Sequence, residues 1–299
     1  MLMEAALKRG ARDLARSMVR RLPNRVVESA GFQRDVSRRR LAASLGYDFP
    51  LAVWSDDWLT YSMARTGSYE LTQKHFLAQS VFPRLDPLGV AVDVGSNVGT
   101  YSLFLARHFD RVFAFDPSED ACQLLAVSLH GNSIKNVQVT NAALGAEPSS
   151  VLLVIPEEEV ANRGGARLIP LDVSLGEGPA GSLVEVVVGD AALSDASPVS
   201  YIKIDVEGAE ADVLRGLHGT LERERPVISV EVLDLAAKSR VESILNDLGY
   251  TGLALVRSRR ARNVVPLSEV ADLSGLSLVH FLPVSLAEGL IGTGVRELG

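Results

Sequence analysis

The chain has 299 residues, 47% apolar and 22% charged, which excludes general disorder and allows a core burying roughly 75% of the unfolded surface without a disulfide or metal staple. A formal net charge of −7 excludes a globally cationic nucleic-acid binder, and the single cysteine, Cys122, excludes a disulfide framework and a Cys-rich zinc site. Histidines stand only at 75, 108, 130, 218 and 280, with no HExxH spacing. No apolar run reaches the roughly 18 residues of a membrane span, and no uninterrupted apolar stretch marks a signal peptide, so the expectation is a soluble, cytoplasmic protein.

The charge is uneven. Residues 1–50 carry eleven Lys/Arg against five Asp/Glu, a net of +6, and the remainder carries nineteen against thirty-two, a net of −13. Leu7, Ala11, Leu14, Met18 and Leu22 recur at helical spacing, with Arg9, Arg12, Arg16, Arg20 and Arg21 on the other faces and Pro23 as the stop. Residues 1–65 are therefore expected to form a basic helical extension. The favoured reading packs it on the main domain with its arginines solvated; peripheral contact with an anionic membrane surface or an acidic partner is the alternative. Glu4, Asp13 and Glu28 interrupt the basic run and argue against a transit peptide.

From residue 66 to about 285 strands and helices alternate. Val90 to Val94, between Gly89 and Gly95, reads as a buried strand. Gly99 to Phe109 reads as a helix, Arg111 to Asp116 as a strand, Glu119 to His130 as a helix stopped by Gly131-Asn132, and Val137 to Asn141 as a strand. This alternation implies a parallel sheet with right-handed crossovers. Val151 to Ile155 and Leu183 to Val188 are β-branched runs flanking a glycine-rich stretch that includes Asn162, Gly164 and Gly165. A stretch that long is either mobile or functional. Tyr201 to Asp205 is a further strand, and the helix beginning near Ala209 carries Val213, Leu214, Leu217 and Leu221 on one face. Val227 to Val232 reads as a strand and Leu235 to Leu248 as a helix closed by Gly249. Gly252 to Val256 and Leu276 to Val284 read as a closing antiparallel pair. Residues 286–299, with four glycines and little period, read as a surface tail.

The sharpest signal is VDVGSNVGTYS, Val92 to Ser102. A strand runs into Gly95 and a helix leaves near Gly99, and glycines there let backbone N–H groups approach a ligand. The spacing Gly95-x-x-x-Gly99 lacks the third glycine of GxGxxG, which weakens a dinucleotide reading. It suits a ligand with an amino-acid end and no phosphate, such as S-adenosylmethionine, with Asp93 supplying negative charge near the cationic group. Asp116 ends the next strand, 21 residues beyond Gly95, where an acid can accept from both ribose hydroxyls; Pro117 then redirects the chain.

The segment YIKIDVEGAE places Asp205, Glu207 and Glu210 just past a strand. Ligands of open α/β sheets sit outside the carboxyl ends of the strands, where Gly95, Asp116, Asp205 and Glu231 converge. Asp205 suits the ammonium or sulfonium side of the cofactor, and Glu207 and Glu231 are the candidates for the base facing an acceptor hydroxyl. Glu210 suits a helix-dipole role. Lys203, inside a strand, needs a partner if buried, for which Asp205 or Glu231 serves. Asp205, Glu207, Glu231 and Asp234 offer hard oxygen ligands, but in no recognised motif, and no metal is assigned. Cys122 reads as core rather than nucleophile, and His280 interrupts an apolar run near the last strand.

The combination of GSYE (Gly67 to Glu70), DVGSNVGTYS, FAFDP, NAALG (Asn141 to Gly145), NRGGARL, IKIDVEGAE with VLRG, and PVISVEV resembles the FkbM family of S-adenosylmethionine-dependent methyltransferases, from about Gly67 to Pro283. The resemblance implies a class I methyltransferase (Rossmann-like) α/β fold, a seven-stranded, mostly parallel sheet with one antiparallel strand and helices on both faces. It implies O-methylation of a small-molecule acceptor, a sugar or natural-product hydroxyl. By the same resemblance Asp93, Gly95, Ser96, Asn97 and Gly99 match the cofactor loop, Ser96 standing where the family has alanine. Asp116 matches the ribose-binding acid, Asn141 and Ala142 border the adenine, and Glu70 approaches the cofactor's amino-acid end. Val188-Gly189-Asp190 departs from the family's Thr-Leu-Asp. Two other readings stand beside it: a nicotinamide-dependent oxidoreductase, for which no YxxxK occurs, and a non-catalytic binding protein that kept the cofactor pocket.

Overall fold

The computed structural model describes residues 42–55, 57–155, 163–171, 181–257, 261–273, 276 and 278–296. The chain reaches its first strand through helices α1 (Trp58–Thr66) and α2 (Leu71–Phe76), the second continued by a π-helical turn, Leu77–Val81, and a 3-10 turn, Phe82–Arg84. Asp57 starts α1 by accepting the Leu59 N–H at 2.8 Å, and left-handed Gly67 ends it. β1 (Val90–Val94), α3 (Thr100–Leu105), β2 (Arg111–Phe115), α4 (Glu119–Gly131) and β3 (Val137–Thr140) follow as the sequence alternation expects. α3 is shorter than its apolar stretch, because the chain turns after Leu105.

Next come four strands of a second sheet, β4 (Ala143–Gly145), β5 (Ser149–Val154), β6 (Arg167–Pro170) and β7 (Ser182–Val188), paired in the order β4-β7-β5-β6. A short α5 (Gly189–Ala192) leads to β8 (Val199–Ile204), α6 (Glu210–Gly216), α7 (His218–Glu224), β9 (Val227–Glu231) and α8 (Leu235–Asp247). The chain closes with β10 (Tyr250–Arg257), β11 (Ala261–Pro266), β12 (Leu278–Pro283), α9 (Val284–Ala287) and β13 (Gly294–Arg296).

The main sheet has nine strands, in the order β3-β2-β1-β8-β9-β12-β10-β11-β13. This corrects the expected count of seven. The first seven positions match the expectation, with β12 running antiparallel between β9 and β10, but β11 and β13 extend the edge beyond it. The sheet is consequently mixed: β3, β2, β1, β8 and β9 pair parallel, and every pairing from β9 to β13 is antiparallel. The glycine-rich C-terminal residues, expected to run over the surface, instead supply β13. Ala287, Leu290 and Val295 are buried there, which is reason enough for the chain to stay on the sheet edge.

Both faces of the sheet are covered, so β1, β2, β8 and β9 read as mostly apolar runs rather than as alternating ones. Ala91 turns to a core built with Phe76, Leu77, Phe104 and Leu125. Val90, Val92 and Val94 turn to a second core with Val213, Leu217 and Leu245. Ala42, Tyr47 and Phe49 belong to the first core, and the Tyr47 ring meets Phe104 edge-on at 5.3 Å. The described part of the N-terminal segment is thus packed on the main domain. The basic helix up to Leu22, with its surface contacts, and much of the glycine-rich middle stretch lie outside the described residues. No described helix is long and apolar enough to cross a membrane.

Candidate active site

A cavity of about 570 Å³ opens at the carboxyl ends of β1, β2, β8 and β9, within the size range of small-ligand sites. Its floor is the turn from β1 to α3. The Gly95 and Ser96 N–H groups donate to Phe115 O at 2.9 and 3.0 Å, and the Asn97 N–H donates to Asp116 Oδ2 at 2.7 Å. The Val98 N–H donates to Asn97 Oδ1 at 2.8 Å and the Gly99 N–H to Ser96 O at 2.9 Å. All five successive amides are thus occupied within the protein. This corrects the expectation that the loop amides turn toward a ligand. A phosphate needs free N–H groups at such a turn, and here Phe115 O, the Asp116 carboxylate and oxygens of the turn itself have taken them. Gly95 is required for another reason: at φ +75° a side chain there would put a Cβ 1.8 Å from Asp205 O. The turn and the exit of β8 are pressed together.

Asp116 lines the cavity at the end of β2. It accepts from Asn97 N–H through one oxygen and from Ser118 N–H, at 2.9 Å, through the other. Burial raises its carboxyl to about 6, against the lowering effect of those two amides. Pro117 and Ala142 line the same wall. Asn141 does not reach the cavity; its Nδ2 donates to Asp116 O at 3.0 Å and holds the end of β2 in place. Gly99 also lies behind the wall, packed against Leu125.

Asp93 is fully buried and outside the cavity lining. It accepts from Ser102 Oγ at 2.6 Å and faces the Lys203 ammonium at 3.6 Å. That ammonium is also 3.1 Å from Asp205 Oδ2 and 3.5 Å from Gly95 O. Burial works against its charge, but Asp205 and Asp93 outweigh burial and Lys203 holds its proton more firmly than a free lysine. Glu70 likewise stands behind the lining, accepting from the Tyr101 hydroxyl at 2.8 Å, while its neighbour Tyr69 and Tyr101 itself line the cavity.

Asp205, Glu207 and Glu231 all line the cavity, with carboxylate oxygens within 4.8 Å of one another. Three like charges that close are not carried together. Burial, then the charge of Asp205 and a hydrogen bond with it, raise Glu231 well above the carboxylate range; Glu207 adds to this and Lys203 opposes it. Among the described residues this is the one acidic group compact enough to share a cation, and Lys203 already sits on Asp205. Two polar atoms on the wall are buried and without a hydrogen-bond partner: Ser96 Oγ and Glu231 Oε2. Glu210 is set apart, accepting the Gly208 N–H at 2.8 Å at the start of α6. Cys122 is buried, with its thiol pushed up to about 12, chiefly by burial, as befits core.

Sequence reasoning missed the opposite wall. Trp54, Trp58 and Leu59 come from the segment before residue 66, and Leu153, Ile155 and Leu168 from the small sheet. Asp57 ties the two together: one oxygen caps α1 and the other accepts the Arg163 N–H at 2.9 Å, while the Arg163 guanidinium lies 5.2 Å from the Trp54 ring centre. A tryptophan pair four residues apart was visible in the sequence, but its address was not. Asn97, Glu207 and Glu70 carry left-handed backbone with φ of 48°, 53° and 51°. Such conformations in non-glycine residues concentrate at functional sites.

The family model described as "Methyltransferase FkbM domain" matches residues 93–251, just over half of the chain. "Methyltransferase 1" of Beauveria bassiana is 30% identical over 145 residues, covering 42% of this chain and 57% of that relative, so the chain spans little more than half of its length. "Methyltransferase sdnD" of Sordaria araneosa is 24% identical over 190 residues, 53% of this chain and 72% of that relative. Among solved structures, methyltransferase FkbM from Methylobacillus flagellatus KT aligns over 83% of this chain and 59% of its own, with 14% identity and a TM-score of 0.42.

Proposed function

Because the chain belongs to the methyltransferase FkbM domain family, we propose that it binds S-adenosylmethionine in the cavity beside Gly95 and Asp116 and methylates a hydroxyl of a small sugar or natural-product acceptor. The observation that carries the cofactor reading is the occupied run of amides from Gly95 to Gly99. A nicotinamide dinucleotide brings a pyrophosphate that this turn has no free donors to meet. A nucleoside with an amino-acid end needs none, and the ionised carboxylate of Asp116 keeps lone pairs for its ribose hydroxyls. The orphaned Ser96 Oγ and Glu231 Oε2 fit a polar ligand against this wall.

In this reading Asp116 holds the ribose, Pro117 and Ala142 border the base, and Asp205 faces the sulfonium side of the cofactor. When bound, S-adenosylmethionine supplies an activated methyl group. The protein's part is then to align the acceptor oxygen, exclude water and receive a proton. Trp54, Trp58, Tyr69 and Leu59 offer apolar, aromatic surface for the acceptor ring in the same cavity as the carboxylates of Glu207 and Glu231. Those two acids are the groups within reach of an acceptor proton.

The chain's only two tryptophans both line this cavity, so intrinsic emission reports its occupancy. S-adenosylhomocysteine is expected to change tryptophan emission saturably, and NAD+ at the same concentration to leave it unchanged. A saturable response to NAD+ with none to S-adenosylhomocysteine would overturn the proposal.

A further inference from the structure

We propose that the carboxyl cluster of Asp205, Glu207 and Glu231 is the receptor for the cofactor's sulfonium charge, and that Glu231 gives up a proton when that charge arrives and thereby becomes the base for the acceptor hydroxyl. The inference rests on the methyltransferase reading and concerns the resting state of its base.

The geometry sets the problem. Oxygens of the three acids lie within 4.8 Å of one another on the cavity wall. The charged and titratable groups that face Glu231 are Asp205 and Glu207 from the turn after β8, Lys203 from β8 and Tyr69 from the turn before α2. Leu278, its register partner on β12, adds no charge. Lys203 is divided between Asp93 and Asp205, at 3.6 and 3.1 Å, and keeps Asp205 ionised beside Glu231. A second negative charge on Glu231 is disfavoured there. Glu231 therefore rests neutral: its Oε2 is buried without a hydrogen-bond partner, and burial and the charge of Asp205 both favour its protonated form.

A neutral carboxylic acid is a poor base. A fixed positive charge in the same cavity favours the ionised form and expels the proton to solvent. S-adenosylmethionine carries that charge on sulfur; S-adenosylhomocysteine has the same ammonium and carboxylate but a neutral sulfur. In turnover the acceptor oxygen bonds the methyl carbon as the carbon–sulfur pair of electrons returns to sulfur, and the hydroxyl proton passes to Glu231. Glu231 then ends protonated beside a neutral thioether, which is its resting state. The one proton the reaction produces is released when the next S-adenosylmethionine binds.

The test needs no acceptor. The full-length protein is titrated calorimetrically with S-adenosylmethionine and with S-adenosylhomocysteine near pH 7.5, in EDTA-containing buffers of different ionisation enthalpy. Approach to about one proton released per S-adenosylmethionine, with much less for S-adenosylhomocysteine, is expected; the affinity ratio of the two then rises toward tenfold per pH unit. Glu231→Gln, which mimics the neutral acid, is expected to abolish the difference while still binding S-adenosylhomocysteine. Glu207→Gln retains a sulfonium-dependent release. Equal proton release for both ligands overturns the inference and leaves the methyltransferase reading intact. A difference that survives in Glu231→Gln overturns the assignment to Glu231. Failure of the folded wild type to bind either ligand overturns the underlying reading instead.

Discussion

The Asp116 carboxylate accepts from Asn97 and Ser118 amides, and an ionised carboxylate keeps room for about two donors more. Its position was legible, because an acid ending the second strand needs only the strand pattern to be found. Its bracing of the glycine turn was not. Burial raises the carboxyl to about 6, and only the ionised form accepts two hydroxyls. Affinity for S-adenosylhomocysteine is therefore expected to be flat above that pH and to fall by up to tenfold per unit below it. Asp116→Asn should weaken binding by about 10- to 100-fold and remove the pH dependence, as loss of a charge-assisted hydrogen bond implies. Affinity that rises on acidification would contradict this role. His280 was also conspicuous, as a histidine in an apolar run, but its partners lie 51 and 207 residues away. The Tyr201 hydroxyl donates to Ser229 Oγ at 2.8 Å, Ser229 Oγ lies 2.7 Å from His280 Nδ1, and His280 Nε2 lies 3.0 Å from Gln73 Oε1. Gln73 Nε2 donates to Leu278 O, so Oε1 accepts from Nε2–H and Nδ1 accepts from Ser229. Burial pushes His280 down to about 3, so this neutral chain of donors is a structural tie, not a proton relay to the cavity. Ser229→Ala strands two buried groups and should cost about 1–3 kcal/mol in urea unfolding, and Tyr201→Phe less, because Ser229 keeps its bond to His280. Equal costs would contradict that direction.

The elements that the sequence declared are those buried on both sides. β1, β2, β8 and β9 are predominantly apolar runs with turn residues at their ends, and their observed bounds fall within two residues of the expectation. β4 is three residues long, β6 is half exposed, and β13 follows a glycine-rich stretch, so none carries a period to read. β5 and β7 were legible as β-branched runs, but their pairing with β4 and β6 into a second sheet was not, nor was the part of the cavity wall that sheet supplies. Gly145 and Gly216 were legible only as parts of the resemblance. Their cause is the crossing of α6 over β4, where a Cβ on Gly216 would stand 1.9 Å from Gly145 O. Gly216→Ala is accordingly expected to cost about 1–3 kcal/mol by overpacking, read as a lowered melting temperature, although Gly216 does not line the cavity. An unchanged melt would mean that α6 and β4 do not press together as described.

At the scale of the molecule the cavity is closed by parts far apart in sequence: the carboxyl ends of four parallel strands, one edge of the small sheet, and a segment that precedes the family match. The strand ends were legible, since a βαβ alternation fixes where a parallel sheet opens. The closing wall was not, since Trp54 and Trp58 acquire their place only when Tyr47 and Phe49 pack on the first core and Asp57 ties α1 to Arg163. The seventh strand position is likewise extended by β11 and β13, which changes the edge of the sheet without touching the cavity. All of this bears on function only if the cavity takes a phosphate-free nucleoside with an amino-acid end. The direct test is isothermal titration of the full-length protein with S-adenosylhomocysteine, beside a folded Asp116→Ala variant. Micromolar binding at one site per chain, lost or strongly weakened in the variant, is the expected result. A folded wild-type protein that gives no heat and no protection against thermal unfolding at millimolar S-adenosylhomocysteine would contradict the account.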